Sequence, residues 1–335
     1  IMSNANLDPT FINGGIINSF NSNAQLGKGD YLIAEADESD KSFLLLQPSI
    51  SVITNIEPDH LVNYENSFSN LKNAFLEFIK CLPFNGVSIV CGDDIVIREL
   101  KTNFQRPHIS YGFESDNDYV LSEYKSDGSK SSFKMTSDSG PLDFKLNMLG
   151  KHNVLNAAAA AILCLQEGIA VETIQESLNN FMGIDRRMQI LGIHENDKHT
   201  CIYIDDYGHH PTEIEKTIEA IKDSYPRHKL VMVFQPHRFT RTKDLYTEFV
   251  NVLGKVDSLL LMEIYSAGEK AIEGINSTKL KNSLIESGFQ SVELFQDNQK
   301  VIENINQKIN SDTVFVFQGA GDISAISKQI QDEIS

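Results

Sequence analysis

No G-x-x-x-x-G-K-[ST] phosphate loop and no G-x-G-x-x-G turn occurs in the 335 residues, so a nucleotide enzyme built from this chain lacks the usual phosphate cradle here. The G-x-S-x-G elbow and the H-E-x-x-H helix motif are absent too, which removes support for esterase and zincin chemistry. Cysteine is scarce. Cys81, Cys91, Cys164 and Cys201 form no C-x-x-C pair and three of them sit in apolar runs, which points to reduced, buried thiols in a cytosolic protein rather than disulfides or zinc. Basic residues are outnumbered, 29 against 46 acidic, for a net charge of −17. A general field of that sign excludes broad attraction to nucleic acid or an anionic membrane, and leaves phosphate binding to local Arg, Lys, backbone N–H and Mg²⁺. No run approaches the ~18–20 apolar residues of a membrane span. The opening at Ile1 shows no basic n-region of a signal peptide, and its start in mid-pattern suggests a fragment.

What is present is an ordinary globular composition, 41% apolar and 22% charged, over a length that suits two domains. The expected boundary falls after Gly183, giving domains 1–183 and 184–335.

The stretch Tyr31 to His60 organises the first. Two apolar runs, Tyr31-Leu-Ile-Ala34 and Ile50-Ser-Val-Ile53, read as buried strands of a parallel sheet. The first ends in Glu35-Ala-Asp37-Glu38-Ser-Asp40 and the second in Thr54-Asn55-Ile56-Glu57-Pro58-Asp59-His60. Ligands of open α/β sheets bind beyond the carboxyl ends of strands, and oxygen donors there suit Mg²⁺. The alternative for the first acidic run is a solvated turn, with Asp40 and Ser42 capping a short helix.

Residues 1–30 are polar and turn-rich and carry no clear element. Leu71, Ala74, Phe75, Phe78, Ile79 and Leu82 then mark one face of a helix capped by Ser67 or Ser69 and stopped by Pro83. Val87–Val90 is a further strand. Residues 113–147, punctuated by Asp127-Gly128 and Ser139-Gly140, alternate like an antiparallel meander beside the parallel sheet. Gly150-Lys-His-Asn-Val-Leu-Asn156 opens an Ala-rich helix in which Asn153 and Asn156 suit base or ribose recognition, or serve as caps. Beyond Arg186-Arg187, either a solvated linker or a phosphate contact, four strands end in polar or glycine residues, as in a doubly wound α/β domain. Two of these ends stand out. Asp205-Asp206-Tyr207-Gly208-His209-His210 precedes a helix begun by Pro211, and Gln235-Pro-His-Arg238-Phe-Thr-Arg241 offers two guanidiniums for carboxylate or phosphate. Gly319-Ala-Gly-Asp322 before a helix offers weaker anion binding.

The segments EADESD, TNIEPDH, GKHNVLNAAAA, DRR, DDYGHHPTE, QPHRFTRT and QGAGDIS, in that order, resemble the Mur ligases over essentially the whole chain. Within them the match is nearest the branch joining L-alanine to UDP-N-acetylmuramate. The resemblance implies a Mur-ligase ATPase-type parallel sheet with a small antiparallel β subdomain, followed by a Rossmann-like C-terminal domain. It also implies that the family's N-terminal UDP-binding domain and glycine-rich loop are missing, so that this chain alone is inactive. The implied reaction is ATP-dependent ligation of L-alanine to the lactyl carboxylate of UDP-N-acetylmuramate through an acyl phosphate, in peptidoglycan precursor synthesis. Glu35 and His60 would hold two Mg²⁺ ions. Asn153 and Asn156 would meet the base and ribose side of ATP, Arg187 and Arg186 its phosphates, and Asp206 ribose or phosphate. Tyr207, His209, Arg238 and Arg241 would line the site for alanine and the muramoyl group. Val62 stands where the family often has Asp, and Met188 where Phe is common. The alternatives are a murein-peptide recycling ligase of the same family, which shares the HHP turn, and a non-catalytic nucleotide-binding fragment.

Overall fold

Short apolar runs alternating with capped helices give two α/β units in the computed structural model, which describes residues 1–137, 140–195, 199–309 and 311–334. One unit comprises residues 1–125 and 130–182, the other residues 126–129 and 183–335.

The first unit holds two sheets. Strands β1 (Thr10–Ile17), β2 (Ser22–Gln25) and β3 (Leu32–Ala34) form a small sheet in the order β2-β1-β3, with β1 and β2 antiparallel and β1 and β3 parallel. The second sheet runs β4 (Ile50–Ile53), β5 (Val87–Cys91), β6 (His108–Gly112), β7 (Tyr119–Asp127), β8 (Lys130–Met135) and β9 (Leu142–Leu146) in that spatial order. Neighbours from β4 to β7 are parallel and β8 and β9 are antiparallel.

Three expectations change here. Residues 1–30 carry two strands, overlooked because Asn13-Gly14-Gly15 interrupts the only apolar run. The run at Tyr31–Ala34 is a strand but not a buried one: Leu32 is 64% and Ile33 45% exposed, because β3 pairs only with β1 at the rim of a three-stranded sheet. The meander does not stand beside the parallel sheet but extends it edge to edge. Residue 139 of the expected Ser139-Gly140 turn lies outside the described residues.

The helices follow their sequence signals. The Ser67 hydroxyl accepts from the Asn70 N–H to cap Phe68–Lys80, whose Leu71, Ala74, Phe78 and Ile79 are buried. Lys151–Gln166 lies against β5 and β6, and its buried Ala157, Ala158 and Ala161 let the helix approach the sheet closely.

In the second unit β10 (Gln189–Glu195), β11 (Thr200–Asp206), β12 (Lys229–Phe234), β13 (Ser258–Met262), β14 (Val292–Phe295) and β15 (Thr313–Gln318) assemble in the order β10-β11-β15-β12-β13-β14. Only β10 runs antiparallel. All six residues of β15 are buried, and Phe315 stacks on Tyr203 with ring centroids 5.3 Å apart. The chain leaves β11, passes through the helix Pro211–Ser224 and enters β12 one place beyond its neighbour, and β15 returns to fill the gap. In such sheets the carboxyl ends flanking that return form the ligand crevice. The register aligns Asp206 with Gln318 and Gln318 with Phe234, so the polar ends of three strands arrive together. Cys91, Cys164 and Cys201 are buried free thiols and Cys81 a half-buried one. Among the described residues no helix is long and apolar enough to cross a membrane.

Candidate active site

In the first unit Glu35 follows β3 directly. Its Oε2 accepts from the Gly14 N–H at 2.5 Å, and its own N–H donates to Ile12 O. The approach is close: a Cβ on residue 14 would lie 2.8 Å from Glu35 Oε2, so the carboxylate would have to shift to admit one. The acidic run that follows is tied down by ordinary turn chemistry. Asp37 accepts from the Ser39 N–H and Asp40 from the Ser42 N–H, which holds the Asp40 carboxyl below its usual range through its bonds to Ser42. The expected cap is thus an Asx turn before a single 3₁₀ turn, Ser42–Leu45.

His60 stands in left-handed backbone with φ 53° and heads a second 3₁₀ turn, Leu61–Tyr64. Its Nε2 lies 3.5 Å from Asp59 Oδ2. The two loops are fastened to each other. The Asn63 amide donates to Ser39 O at 2.6 Å, and the Tyr64 hydroxyl donates to Glu38 O at 2.5 Å. Burial and then the Glu38, Asp37 and Asp40 charges push the Tyr64 hydroxyl up to about 12, so it stays a donor. Val62 is exposed and contributes no oxygen.

The donors present suit a cation that takes most of its shell from water and phosphate oxygens. Glu35 is an exposed carboxylate with one oxygen held by an amide, and Mg²⁺ commonly uses one or two such groups. Among the described residues no cluster of three or more ligating side chains is preassembled.

Asn153 is buried in the first turn of Lys151–Gln166, with its amide donating to Leu149 O at 2.7 Å, the local bracing role. Asn156 is exposed on the same helix. A cavity of about 820 Å³ among Met2, Phe11, Phe20, Ile33 and Phe181 includes none of the expected site residues.

The second unit concentrates its chemistry at the carboxyl ends of β11, β15 and β12. The two arginines before β10 divide the work. Arg186 turns inward: Nε lies 3.3 Å from Asp205 Oδ2, Nη2 donates to Gly319 O at 2.6 Å, and the guanidinium sits 5.1 Å from the Tyr207 ring centre. Burial raises the Asp205 carboxyl, and Arg186 and the Ser327 hydroxyl oppose the rise. The Arg187 side chain remains 47% exposed, meets Glu213 at 3.3 Å and has its guanidinium 5.4 Å from the Tyr207 ring centre.

Asp206, expected to touch ribose or phosphate, is 6% exposed and consumed by the protein. Oδ2 accepts from the Met188 N–H, and Oδ1 from the Gly208 N–H, the Gln318 amide and the Thr217 hydroxyl. Its geometry is that of a group positioning the turns on either side, and buried Met188 occupies the place where Phe was expected.

Beyond Asp206, Glu213 closes a capping box at the start of Pro211–Ser224, accepting from the His209 and His210 N–H groups. Burial would raise its carboxyl, but His209, the two backbone amides and Arg187 bring it below its usual value. His209 contacts the Tyr207 carbonyl through Nδ1 at 3.1 Å, and its ring lies 5.5 Å from that of His237. His237 contacts Arg241 Nη1 through Nδ1 at 3.2 Å and stacks on Tyr265 at 5.6 Å. Burial lowers the His209 imidazole, while burial together with His209, Arg241 and Arg238 brings His237 down to about 4. Arg238 has φ 71° and heads the short helix Phe239–Asp244, which carries Arg241. Gly321 presses against Tyr265: a Cβ there would lie 2.9 Å from the ring. In the Gly319–Asp322 turn, the Gly319 and Ile323 N–H groups donate to Asp206 O and Gln235 Oε1, so neither is left for an anion.

Tyr207, His209, Arg238 and Arg241 thus fall in one neighbourhood, and sequence reasoning passed over His237, Glu213 and Tyr265 within it. Glu213 carried a signal, three residues after His210 as a capping box requires. Tyr265 follows one of the four apolar runs with polar ends, but its pairing with His237, 28 residues away through an isolated parallel bridge, has no local signature.

The Mur ligase middle domain matches residues 16–164 and the Mur ligase glutamate ligase domain residues 186–321. Among solved structures, UDP-N-acetylmuramate-alanine ligase MurC from Thermotoga maritima superposes with a TM-score of 0.80 at 26% identity, over 99% of this chain and 70% of that one. MurF from Acinetobacter baumannii gives 0.72 at 18% identity, over 98% and 72% of the two chains. The murein peptide ligase mpl from Psychrobacter arcticus gives 0.65 at 20%, over 99% and 73%.

Proposed function

Since the chain belongs to the Mur ligase family, whose members are ATP-dependent amide ligases of peptidoglycan precursor synthesis, we propose that its own reaction joins L-alanine to the lactyl carboxylate of UDP-N-acetylmuramate. The observation that carries this choice is the likeness to the Thermotoga maritima alanine ligase, the highest in both identity and TM-score of the three structures compared.

ATP first converts the lactyl carboxylate to an acyl phosphate, and the amine of alanine then displaces phosphate. Glu35 and His60 would hold magnesium, two ions by this reading, and the metal would neutralise phosphate charge that otherwise repels the carboxylate. Exposed Asn156 is the amide open to base or ribose, Asn153 bracing its turn. Arg187, with the exposed guanidinium, takes ATP phosphate, and Arg186 is the inward member that fixes Tyr207. Tyr207, His209, Arg238 and Arg241 receive the alanine and muramoyl groups, as planar guanidiniums match carboxylates. The 335 residues, holding no phosphate loop, form no ADP by themselves.

The likeness to the murein peptide ligase supports a second reading, in which the same site joins a preformed peptide. Incubating the native protein with ATP, UDP-N-acetylmuramate and either L-alanine or an alanine-headed tripeptide separates them. Amide product with alanine alone supports the first reading; product only with the tripeptide replaces it with the second.

A further inference from the structure

His209 and His237 are neighbours whose ring nitrogens face partners of opposite character. The Tyr207 carbonyl at 3.1 Å from His209 Nδ1 can only accept, so Nδ1 carries the proton and Nε2 of the neutral ring keeps a lone pair. The Arg241 guanidinium at 3.2 Å from His237 Nδ1 can only donate, so that nitrogen keeps its lone pair and the proton sits on Nε2. The rings, 5.5 Å apart, are therefore locked in opposite tautomers, one offering an acceptor and the other a donor. The cause of the lock lies outside the rings. Glu213 fixes the His209 backbone through its N–H, and the Tyr265 ring and Arg241 hold His237.

From this geometry we infer that His209 Nε2 is the proton acceptor for the attacking amine, and that His237 Nε2–H is a neutral donor to the oxygen on which negative charge develops. The inference rests on the acyl-phosphate reading above and adds the proton's route to it. L-alanine reacts as the free amine, its first proton lost to solvent. The nitrogen lone pair forms the C–N bond to the acyl carbon, and the carbonyl π pair moves onto oxygen, toward His237. His209 Nε2 takes a proton from the nitrogen. The oxygen pair then re-forms the carbonyl, the C–O bond to phosphate breaks, and phosphate leaves with that pair and receives the proton from His209. The imidazole is neutral again. Burial, Arg241 and Arg187 keep His209 in its acceptor form at neutral pH against the opposing charge of Glu213, and Tyr207 and His237 face it as neutral rings.

The test is His209→Asn in the native protein, since the Asn amide can still donate to the Tyr207 carbonyl but leaves nothing in place of Nε2. Amide formation at saturating L-alanine should fall about 10²- to 10⁴-fold, the usual worth of a positioned base. Hydroxylamine, a nucleophile largely unprotonated at neutral pH, should trap the acyl phosphate as hydroxamate with a loss about tenfold or more smaller than that of the amide, which also shows that the variant is folded. Equal loss of amide and hydroxamate overturns the inference in favour of a binding or packing role, and retention of both overturns it outright. In the wild type, the acidic limb of kcat should follow a group below the ordinary histidine value, and a limb at or above that value overturns the inference independently. Absence of hydroxamate from the wild type refutes the acyl phosphate itself, a failure distinct from that of His209.

Discussion

Replacing Arg186 by alanine should destabilise the second unit rather than simply remove a ligand contact. The Arg186 and Asp205 side chains are 17% and 5% exposed, and the guanidinium also serves the Gly319 carbonyl. Removing one partner of a buried pair strands the other, at a cost of about 3–5 kcal/mol. The cost depends on pH, because Asp205 already has a raised pKa from burial and Arg186 is the main group opposing the rise. A carboxyl raised in the folded state favours folding below its unfolded pKa, and that advantage is lost as pH climbs through the folded value. Without Arg186 the folded value climbs further, so the penalty should be full at neutral pH and shrink on acidification as Asp205 binds a proton. Urea unfolding of wild type and Arg186→Ala at neutral and mildly acidic pH measures both effects. Arg186→Lys, keeping the charge but losing the fork to Gly319, should fall between. A loss under about 1 kcal/mol for Arg186→Ala, or a penalty that does not shrink with acid, would refute the reasoning.

The remaining predictions concern groups that the fold can spare. Arg187→Ala and Glu35→Ala should each nearly abolish turnover while changing stability within about 0.5 kcal/mol, as at other exposed sites; near-wild-type turnover in either variant removes that residue from the chemistry. Gly14→Ala should push the Glu35 carboxylate aside, since the new Cβ would lie 2.8 Å from Oε2. Mn²⁺ binding followed by electron paramagnetic resonance should weaken in that variant, and unchanged binding would separate Glu35 from the metal.

Much of this was legible in the string because strand ends are where α/β proteins keep their chemistry. DDYGHHPTE and QPHRFTR each follow an apolar run, and both runs are buried strands flanking β15. What stayed hidden is what periodicity does not encode. Tyr31–Ala34 reads like any buried strand, yet coverage depends on neighbours, and β3 has only one. The edge strands β10 and β14 are only partly buried, so their hydrophobic pattern is faint. Asp206 is pointed at ribose or phosphate by family resemblance alone. Its four protein donors come from residues 188, 208, 217 and 318, and such a spread has no local signature.

The central claim meets its most direct test in phosphate release by the native protein with ATP, Mg²⁺ and UDP-N-acetylmuramate, with amino acids supplied one at a time. The account predicts release that depends on L-alanine and is stoichiometric with a muramoyl-alanine amide. Release indifferent to the amino acid, or none with any acceptor, would contradict it.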